Sequence, residues 1–406
     1  MPSETPVSAT DLIHHAYQPP SGFVSDQPGI YKASTVYFPN VAAMRSTDWK
    51  DKSGYTYGLH GTPTTYTLEE RLATLEGGQH CLLVPSGLAA IATVCISVLQ
   101  SGDEVLVPDN VYGQTRAVIN GEMLNWGITY QFYDPMDPAD LAAKIGPATK
   151  LVWLEAAGSI TLEFPDLRAM VRICRERSVL AALDNTWGAG IAFRAFDLEP
   201  GAEPPLAVDL TVHALTKYPS GGGDVLMGSI ITRDAALAMR LKMTHMRLGL
   251  AVGANDAELV LRSLPSILLR YRAQDASTRA LAHWALTQPQ FAQVLHPSLP
   301  QSPGHAFWRA MCDPAPGSAA AMFSVVIDEK YGQDAVDAFC DALRLFKLGY
   351  SWAGPISLVV PYPLADMRTQ WPAHLRRGTL VRLSIGLEEP ADLQADLEQA
   401  LQRALR

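Results

Sequence analysis

The chain lacks any block of basic residues: among its 406 residues, acidic side chains outnumber Lys and Arg by 41 to 32. The net charge of −9 disfavours a surface for nucleic acid or anionic membranes, because such surfaces need clustered positive charge. A small cationic pocket for an anionic ligand remains compatible with this composition. Long apolar runs are also missing, and the most apolar stretch, Leu88–Leu99, is too short to span a bilayer.

Cysteines are few, and their spacing excludes two kinds of small domain. The five residues are Cys81, Cys95, Cys174, Cys312 and Cys340, and none forms a Cys-x-x-Cys pair. The sequence therefore predicts neither a metal site nor a disulfide framework, which suits a reducing compartment. Because residues 1–11 are polar and lack the apolar core of a signal peptide, we expect a cytoplasmic protein.

Strand and helix patterns alternate from Leu68 onward. Short apolar runs typical of buried strands lie at Cys81–Val84, Glu104–Val107, Ile128–Tyr133, Leu151–Leu154, Val179–Leu183, Leu210–His213 and Val225–Ile231. Amphipathic helical stretches separate most of them, which predicts an α/β protein with a mostly parallel sheet and helices on both faces. A helical region around Asn255–Leu286, interrupted at Pro265, leads into a second set of strands and helices, predicted at Met322–Ile327, Ala335–Phe346, Ser357–Val360, Leu380–Ile385 and Ala391–Leu405.

Three parts of the chain differ in pattern, and at this length a single core rarely suffices. Residues 1–60 mix aromatic residues and turn formers without a helical or strand period, as in an arm that becomes ordered by packing on another surface. Residues 61–255 carry the strand–helix alternation and are predicted to form a large domain. Residues 256–406 are predicted to form a smaller C-terminal α+β domain.

Four features follow predicted strands, at the edge where open α/β sheets bind ligands. Asp184, Lys217 and Tyr112 each come after an apolar run, and the turn Ser86–Leu88 opens a helix. A helix start with free amides suits an anion, although it is also a common N-cap. Each feature alone has an ordinary structural explanation, such as a cap or a solvated lysine.

Together these residues match the needs of one coenzyme, pyridoxal 5′-phosphate (PLP). Its aldehyde needs a lysine amine for a Schiff base, its ring nitrogen an acid, its phosphate an amide-lined pocket and its ring an aromatic neighbour. Lys217, Asp184, the Ser86–Leu88 turn and Tyr112 would supply these in turn. Thr216, beside the lysine, would add a hydroxyl for the phosphate.

Seven segments carry a resemblance to a known family. They are Tyr55–Thr64, Leu75–Gly78, Pro85–Ala89, Leu183–Trp187, Ala214–Tyr218, Tyr350–Trp352 and Val381–Gly386. In order and content the chain resembles the Cys/Met-metabolism family of PLP enzymes, from about residue 30 to the C-terminus. The resemblance implies PLP-dependent fold type I, the aspartate aminotransferase-like fold. It also implies a homotetramer, a dimer of dimers in which the residue 1–60 arm contributes to the neighbouring subunit.

The resemblance implies roles position by position. Lys217 matches the lysine that holds the coenzyme and moves protons, Asp184 the partner of the ring nitrogen, and Tyr112 a stacking residue that also moves protons. Other residues predicted to bind the coenzyme are Ser86, Gly87, Leu88, Thr216, Ser159 and Tyr57, the last an arm tyrosine with a catalytic role in the neighbouring site. Residues predicted to bind the substrate are Arg382, Ser351, Trp352 and Tyr57, with Arg382 gripping the α-carboxylate through its guanidinium.

Two positions depart from the family pattern. The arm commonly has Tyr-x-Arg, with the arginine reaching the phosphate across the subunit interface, but here that position is Leu59. His60 follows and is a candidate replacement donor, though a weak one if neutral. Ala157 stands where the family commonly has Pro.

The activity that the resemblance implies is β-elimination of L-cystathionine to homocysteine, pyruvate and ammonia, a step toward methionine. γ-Acting relatives commonly have Ser at the position of Ala214, and Tyr350–Trp352 looks more like the β-acting ones. The alternatives are γ-elimination, γ-replacement, or β-elimination from cysteine or another thioether. A non-catalytic PLP-binding regulatory protein is an alternative of a different class, which the intact set of Lys217, Asp184, Tyr112 and Arg382 disfavours.

Overall fold

The computed structural model describes residues 8–14, 21–312, 317–364 and 367–406. The strands are β1 (His80–Val84), β2 (Glu104–Pro108), β3 (Thr129–Tyr133), β4 (Thr149–Glu155), β5 (Leu180–Asp184), β6 (Leu210–Ala214), β7 (Gly228–Thr232), β8 (Phe291–Leu295), β9 (Met322–Asp328), β10 (Lys347–Leu348), β11 (Leu358–Tyr362) and β12 (Gly378–Ser384). The helices are α1 (Ala9–Ile13), α2 (Val41–Ser46), α3 (Pro63–Glu76), α4 (Gly87–Val98), α5 (Gly113–Val118), α6 (Pro138–Lys144), α7 (Leu167–Glu176), α8 (Ala235–Leu248), α9 (Ala254–Ser263), α10 (Ile267–Ala285), α11 (His305–Met311), α12 (Gln333–Ala342) and α13 (Pro390–Ala404). Short helical turns lie at Gly58–His60, Ile119–Met123 and Leu264–Ser266.

The larger sheet has seven strands in the order β1-β7-β6-β5-β4-β2-β3. Strands β6, β5, β4, β2 and β3 run parallel, whereas β7 is antiparallel to both of its neighbours. One hydrophobic cluster packs α4 and α8 on the sheet, and another includes α3 and α7. Burial on both faces explains why β4 is a nearly continuous apolar run rather than an alternating one. The predicted mostly parallel sheet is confirmed.

The smaller sheet has five strands in the order β10-β11-β12-β9-β8 and is antiparallel except between β10 and β11. Its core includes α12, α13 and the end of α10, which confirms the smaller α+β unit. The predicted helix Ala335–Phe346 is wrong at its end, because α12 stops at Ala342. The amides of Arg344 and Leu345 donate instead to the Asp396 carboxylate, at 3.0 and 2.7 Å.

The division of the chain at residue 255 stays a prediction, and the packing bears on it. Apolar residues of α9 and of the first turns of α10, among them Val260, Ile267 and Tyr271, belong to the core of the seven-stranded sheet. Leu281 and Ala285, at the other end of α10, belong to the core of the five-stranded sheet. Since α10 is continuous between these cores, we propose that the domain boundary falls within that helix.

The predicted arm exposes apolar side chains along residues 21–60. Tyr37 and Val24 are each 92% exposed, and Phe23 is 60% exposed. Residues 1–7 and 15–20 of the arm lie outside the described residues. Within the part of the chain that the structure describes, no helix is long and apolar enough to cross a membrane.

Candidate active site

A cavity of about 440 Å³ opens where β2, β4, β5 and β6 end, at the carboxyl edge of the larger sheet. The predicted site residues in its wall are Ser86, Gly87, Leu88, Tyr112, Ser159, Asp184, Thr216, Lys217, Trp352 and Arg382. Ser351 lies beside them and contacts Lys217. The structure therefore brings these residues together, while their individual roles stay predictions.

The start of α4 forms an amide-lined corner of this cavity. The Ser86 hydroxyl caps the helix by accepting from the amide of Ala89 at 3.0 Å. The amides of Gly87 and Leu88 occupy helix positions that have no intrahelical acceptor, at the positive end of the helix dipole. A Cβ on Gly87 would lie 2.6 Å from the Cβ of Ala214, so only glycine lets the helix start approach β6 this closely. Thr216 lines the same cavity.

Lys217 lies in the turn that follows β6. Its amide donates to Ala214 O at 3.0 Å, and its Nζ donates to the Ser351 hydroxyl at 2.8 Å. The ammonium also lies 5.5 Å from the ring centroid of Trp352. Burial, together with the positive charge of Arg382, lowers the pKa of Lys217 to about 8, which makes its amine far easier to deprotonate than an ordinary lysine.

Asp184 ends β5, directly beside Glu155 at the end of β4. The amide of Thr186 donates to Asp184 Oδ1 at 3.0 Å, which fixes the carboxyl at the cavity wall. Burial raises the pKa of Asp184. A cationic ligand atom beside this carboxyl would offset that burial, since an opposite charge favours the ionised form.

Glu155 is a wall residue that was not predicted from the sequence. It is 7% exposed, and burial together with the charge of Asp184 raises its pKa well above the ordinary value. Its Oε2 accepts from the amide of Tyr112 at 2.9 Å, so it fixes the backbone that carries that ring. The position after an apolar run, as for Asp184, was the available signal.

Tyr112 stands at the start of α5 and is 40% exposed into the cavity region. Burial, with the charge of Asp184, raises the pKa of its phenol. The phenol is therefore protonated near neutral pH, and Lys217 is the more accessible base of the two.

Arg382 projects from the middle of β12 and is 5% exposed. Its guanidinium lies 5.3 Å from the ring centroid of Tyr362, another wall residue that was not predicted from the sequence. The groups that favour its charge are the phenols of Tyr362 and Tyr112, not a carboxylate. A buried guanidinium with phenols as its charge-stabilising neighbours is suited to bind the carboxylate of a ligand.

The predicted arm residues lie outside the wall of this cavity in the same chain. Tyr57 is 47% exposed and forms an isolated bridge with Thr35. His60 stacks on Trp49 with ring centroids 4.0 Å apart, and its Nδ1 is 2.9 Å from the Thr56 hydroxyl. Burial, with the nearby charge of Lys242, lowers the pKa of His60, which favours the neutral ring.

Other wall residues complete the cavity without a predicted role. They include Thr186, Trp187, Ala157, Ile160, Tyr350 and Met367. The peptide bond between Ala156 and Ala157 is cis. Met367 belongs to the connection between β11 and β12, which carries no strand or helix pattern, so the sequence offered no signal for it.

These features fit PLP on structural grounds. The α4 amides and Thr216 suit a phosphate, the buried Asp184 suits a protonated ring nitrogen, and the Lys217 amine of lowered pKa suits an aldehyde. The two cations, Lys217 and Arg382, face a cavity in which burial raises the pKa of both wall carboxyls. The charged guanidinium of Arg382 and the amides at the start of α4 suit the anionic groups of a ligand.

Comparisons with known proteins agree with this chemistry. A family model described as Cys/Met metabolism PLP-dependent enzyme matches residues 9–402. A cystathionine beta-lyase of Bordetella avium is 37% identical over 92% of this chain and 91% of its own length. The cystathionine beta-lyase MetC of Escherichia coli K12 is 33% identical over 92% of this chain and 93% of its own.

A solved structure supports both the fold and the coenzyme. The putative O-acetylhomoserine (thiol)-lyase of Campylobacter jejuni superimposes with a TM-score of 0.86 at 25% identity, covering 97% of this chain and 99% of its own. That structure contains a pyridoxyl-lysine phosphate. Together with the family match over residues 9–402, this similarity confirms the predicted fold type I and the predicted coenzyme.

Proposed function

The chain belongs to the family of PLP-dependent enzymes of Cys/Met metabolism, and on that premise we propose that it cleaves L-cystathionine by β-elimination. The bond between the β-carbon and sulfur breaks, homocysteine leaves as the thiol, and water converts the remaining three-carbon unit to pyruvate and ammonia. The observation that carries this proposal is the buried Lys217 amine, which shares one cavity with Asp184 and Arg382. The relatives named as cystathionine beta-lyases support the choice of substrate.

Lys217, Asp184 and the α4 turn would hold the coenzyme at three points. The lysine would bind its aldehyde covalently, Asp184 would pair with the ring nitrogen, and Gly87 and Leu88 would donate amides to the phosphate together with the Thr216 hydroxyl. Tyr112 would stack on the ring, held in place by the Glu155 carboxyl. When bound, PLP supplies an electron sink for the negative charge that develops at the substrate α-carbon.

Lys217 is the proposed base for the α-proton. An amine of pKa about 8 is partly unprotonated near neutral pH, whereas an ordinary lysine is almost wholly charged. Ser351 accepts from Nζ at 2.8 Å and would hold the amine on the side of the cavity where the substrate binds. The raised pKa of the Tyr112 phenol makes it a proton donor rather than a base before the substrate arrives.

Arg382 would bind the substrate α-carboxylate. Its guanidinium is nearly fully buried, and the groups that stabilise its charge are phenols. The substrate carboxylate would therefore provide a partner for two charge-assisted hydrogen bonds. The ring of Trp352, whose centroid is 5.5 Å from Lys217 Nζ, would limit the access of water to the reacting atoms.

The proposal includes the assembly and its location. We propose a homotetramer in which Tyr57 of each arm completes a neighbouring site, supported by the exposure of Tyr57, Tyr37 and Phe23. A cytoplasmic location agrees with five cysteines that are all buried and unpaired.

The decisive test is to identify the keto acid formed from L-cystathionine by the PLP-loaded protein. Pyruvate with homocysteine is expected. 2-Oxobutyrate with cysteine would assign γ-elimination instead and overturn the interpretation of Ala214. In parallel, Lys217→Ala should remove turnover and the visible absorbance of the lysine-bound coenzyme, and retained activity would refute the role of Lys217.

A further inference from the structure

A polar cluster beside the cavity has no part in the proposed chemistry. On one side lie Asp109, which follows β2, and Glu163, which follows β4. On the other side lies residue range 367–375 of the connection between β11 and β12, here called the wall segment. The cluster therefore ties a loop of the five-stranded unit to the seven-stranded unit at the mouth of the cavity.

Arg368 is the centre of this cluster. Its side chain is 5% exposed, its Nε donates to Asp109 Oδ2 at 3.1 Å, and its Nη1 donates to Glu163 Oε2 at 3.0 Å. The next residue, Thr369, donates its amide to Asp109 Oδ1 at 3.0 Å and its hydroxyl to the same carboxylate. Two consecutive residues of the wall segment are thus bound to one large-domain carboxylate.

Glu163 is buried and receives four different donors. Besides Arg368, these are His374 of the wall segment at 2.5 Å, Asn110 at 2.6 Å and Thr161 at 2.7 Å. Although burial alone raises its pKa, the hydrogen bond from His374 and the charge of Arg368 lower it to about 2. The carboxylate is therefore ionised throughout the working pH range and binds the wall segment at two positions.

The wall segment also contributes directly to the cavity. Met367, the residue before Arg368, lines the cavity together with Tyr362 and Ile160. Met367 and Trp371 pack in an apolar cluster that contains Ile160 and Leu375. The polar cluster and the apolar cluster therefore both hold the same short segment.

We propose that Arg368 is a positioning residue that holds the wall segment against Asp109 and Glu163, so that Met367 forms the wall facing the distal part of the substrate. The inference rests on the proposed function, in which Lys217 and Arg382 fix the reacting end of L-cystathionine. The distal part must then lie along another wall of the cavity. A wall on a loop that is bound by few side chains takes its position from those side chains.

The test compares a long and a short β-elimination substrate. In Arg368→Met, the KM for L-cystathionine should rise about tenfold or more while kcat changes by less than about twofold. With S-methyl-L-cysteine, which has no distal arm, kcat/KM should stay within about twofold of the wild-type value. Arg368→Lys should restore the KM for L-cystathionine only in part, because an ammonium keeps the charge but loses the guanidinium fork.

A second variant and a second readout keep the test independent of folding and of substrate. Glu163→Gln combined with Arg368→Met leaves no unpaired buried carboxylate, since Asp109 keeps its ion pair with Arg116 at 3.0 Å. Trypsin cleavage at the exposed Arg376 and Arg377, which directly follow the wall segment, measures how readily that segment opens, without any substrate. Both variants should be cleaved there about tenfold faster than the wild type. Arg172→Met, which removes an exposed ion pair with Glu199, is the matched control and should not change cleavage at Arg376.

Each outcome separates this inference from the proposed function. Wild-type protein that gives no pyruvate from L-cystathionine refutes the proposed substrate, and the trypsin comparison then decides the role of Arg368. Equal losses with both substrates, or unchanged cleavage in both variants, would refute the positioning role while leaving the β-elimination intact.

Discussion

Gly87→Ala should weaken coenzyme binding, and the structure sets the size of the effect. A Cβ at this position would lie 2.6 Å from the Cβ and 3.1 Å from the Cα of Ala214. Ordinary contacts between carbon atoms are about 3.5–4.0 Å, so the start of α4 must move by about 1 Å. β6 cannot yield, because Ala214 is paired with Gly228 and precedes the turn that carries Lys217.

A shift of that size affects the amides of Gly87 and Leu88 that would bind the phosphate. A hydrogen bond to a charged group contributes about 1.5–3 kcal/mol. The loss of one such bond raises the dissociation constant of PLP by roughly 10- to 100-fold, at about 1.4 kcal/mol for each factor of ten. Overpacking adds a stability loss of about 1–3 kcal/mol.

The assay is titration of the apoprotein with PLP, followed by the visible absorbance of the lysine-bound coenzyme. Adding Ala214→Gly removes the atom at 2.6 Å but leaves the Cα at 3.1 Å, so the double variant should recover part of the affinity. Gly121→Ala is the control, because its Cβ would meet nothing within 4 Å. Wild-type affinity in Gly87→Ala, or no recovery in the double variant, would refute the close-approach argument.

Two further predictions concern the lysine and the arm. Lys217 must be unprotonated to act as a base, and its pKa is lowered to about 8, so kcat should rise with pH and level off above about 8. A kcat that keeps rising toward the ordinary lysine pKa of about 10.4 would contradict that assignment. Leu59→Arg should lower the dissociation constant of PLP by about tenfold if the arm reaches a neighbouring phosphate, because it adds a charge-assisted donor there. Leu59→Met is the size-matched control, and an unchanged dissociation constant in Leu59→Arg would place the arm elsewhere.

The sequence predicted the fold well where strands are buried on both faces. β2, β4 and β6 are apolar runs bounded by turn residues, and a parallel sheet is the structure in which such runs occur. The end of α12 could not be predicted, because it depends on the Asp396 carboxylate some 50 residues later in the chain. The core on which α9 packs could not be predicted either, because an amphipathic sequence pattern does not specify which of two cores the helix joins.

The residues of the candidate site also fall into those that could be predicted from the sequence and those that could not. Asp184, Lys217 and Tyr112 follow strands, and the carboxyl ends of parallel strands meet at one edge, so their proximity could be predicted. Glu155 carried the same signal at the end of β4. Met367 and Arg368 could not be found from pattern, because their positions depend on contacts with Asp109 and Glu163, more than 200 residues earlier in the chain.

The two ends of the cavity are held in place by different kinds of contact. The reacting end of the cavity is built around the ends of β5 and β6 and the start of α4, which belong to a hydrogen-bonded sheet and a helix. The outer wall is built on a connection between strands, where the side chains of Arg368, Thr369 and His374 bind carboxylates of the seven-stranded unit. Changes in those side chains can therefore move the wall without displacing Lys217 or the amide corner at Gly87. Variants of the wall segment should accordingly alter the KM for long substrates while the dissociation constant of PLP stays at its wild-type value, and variants at Gly87 should do the reverse.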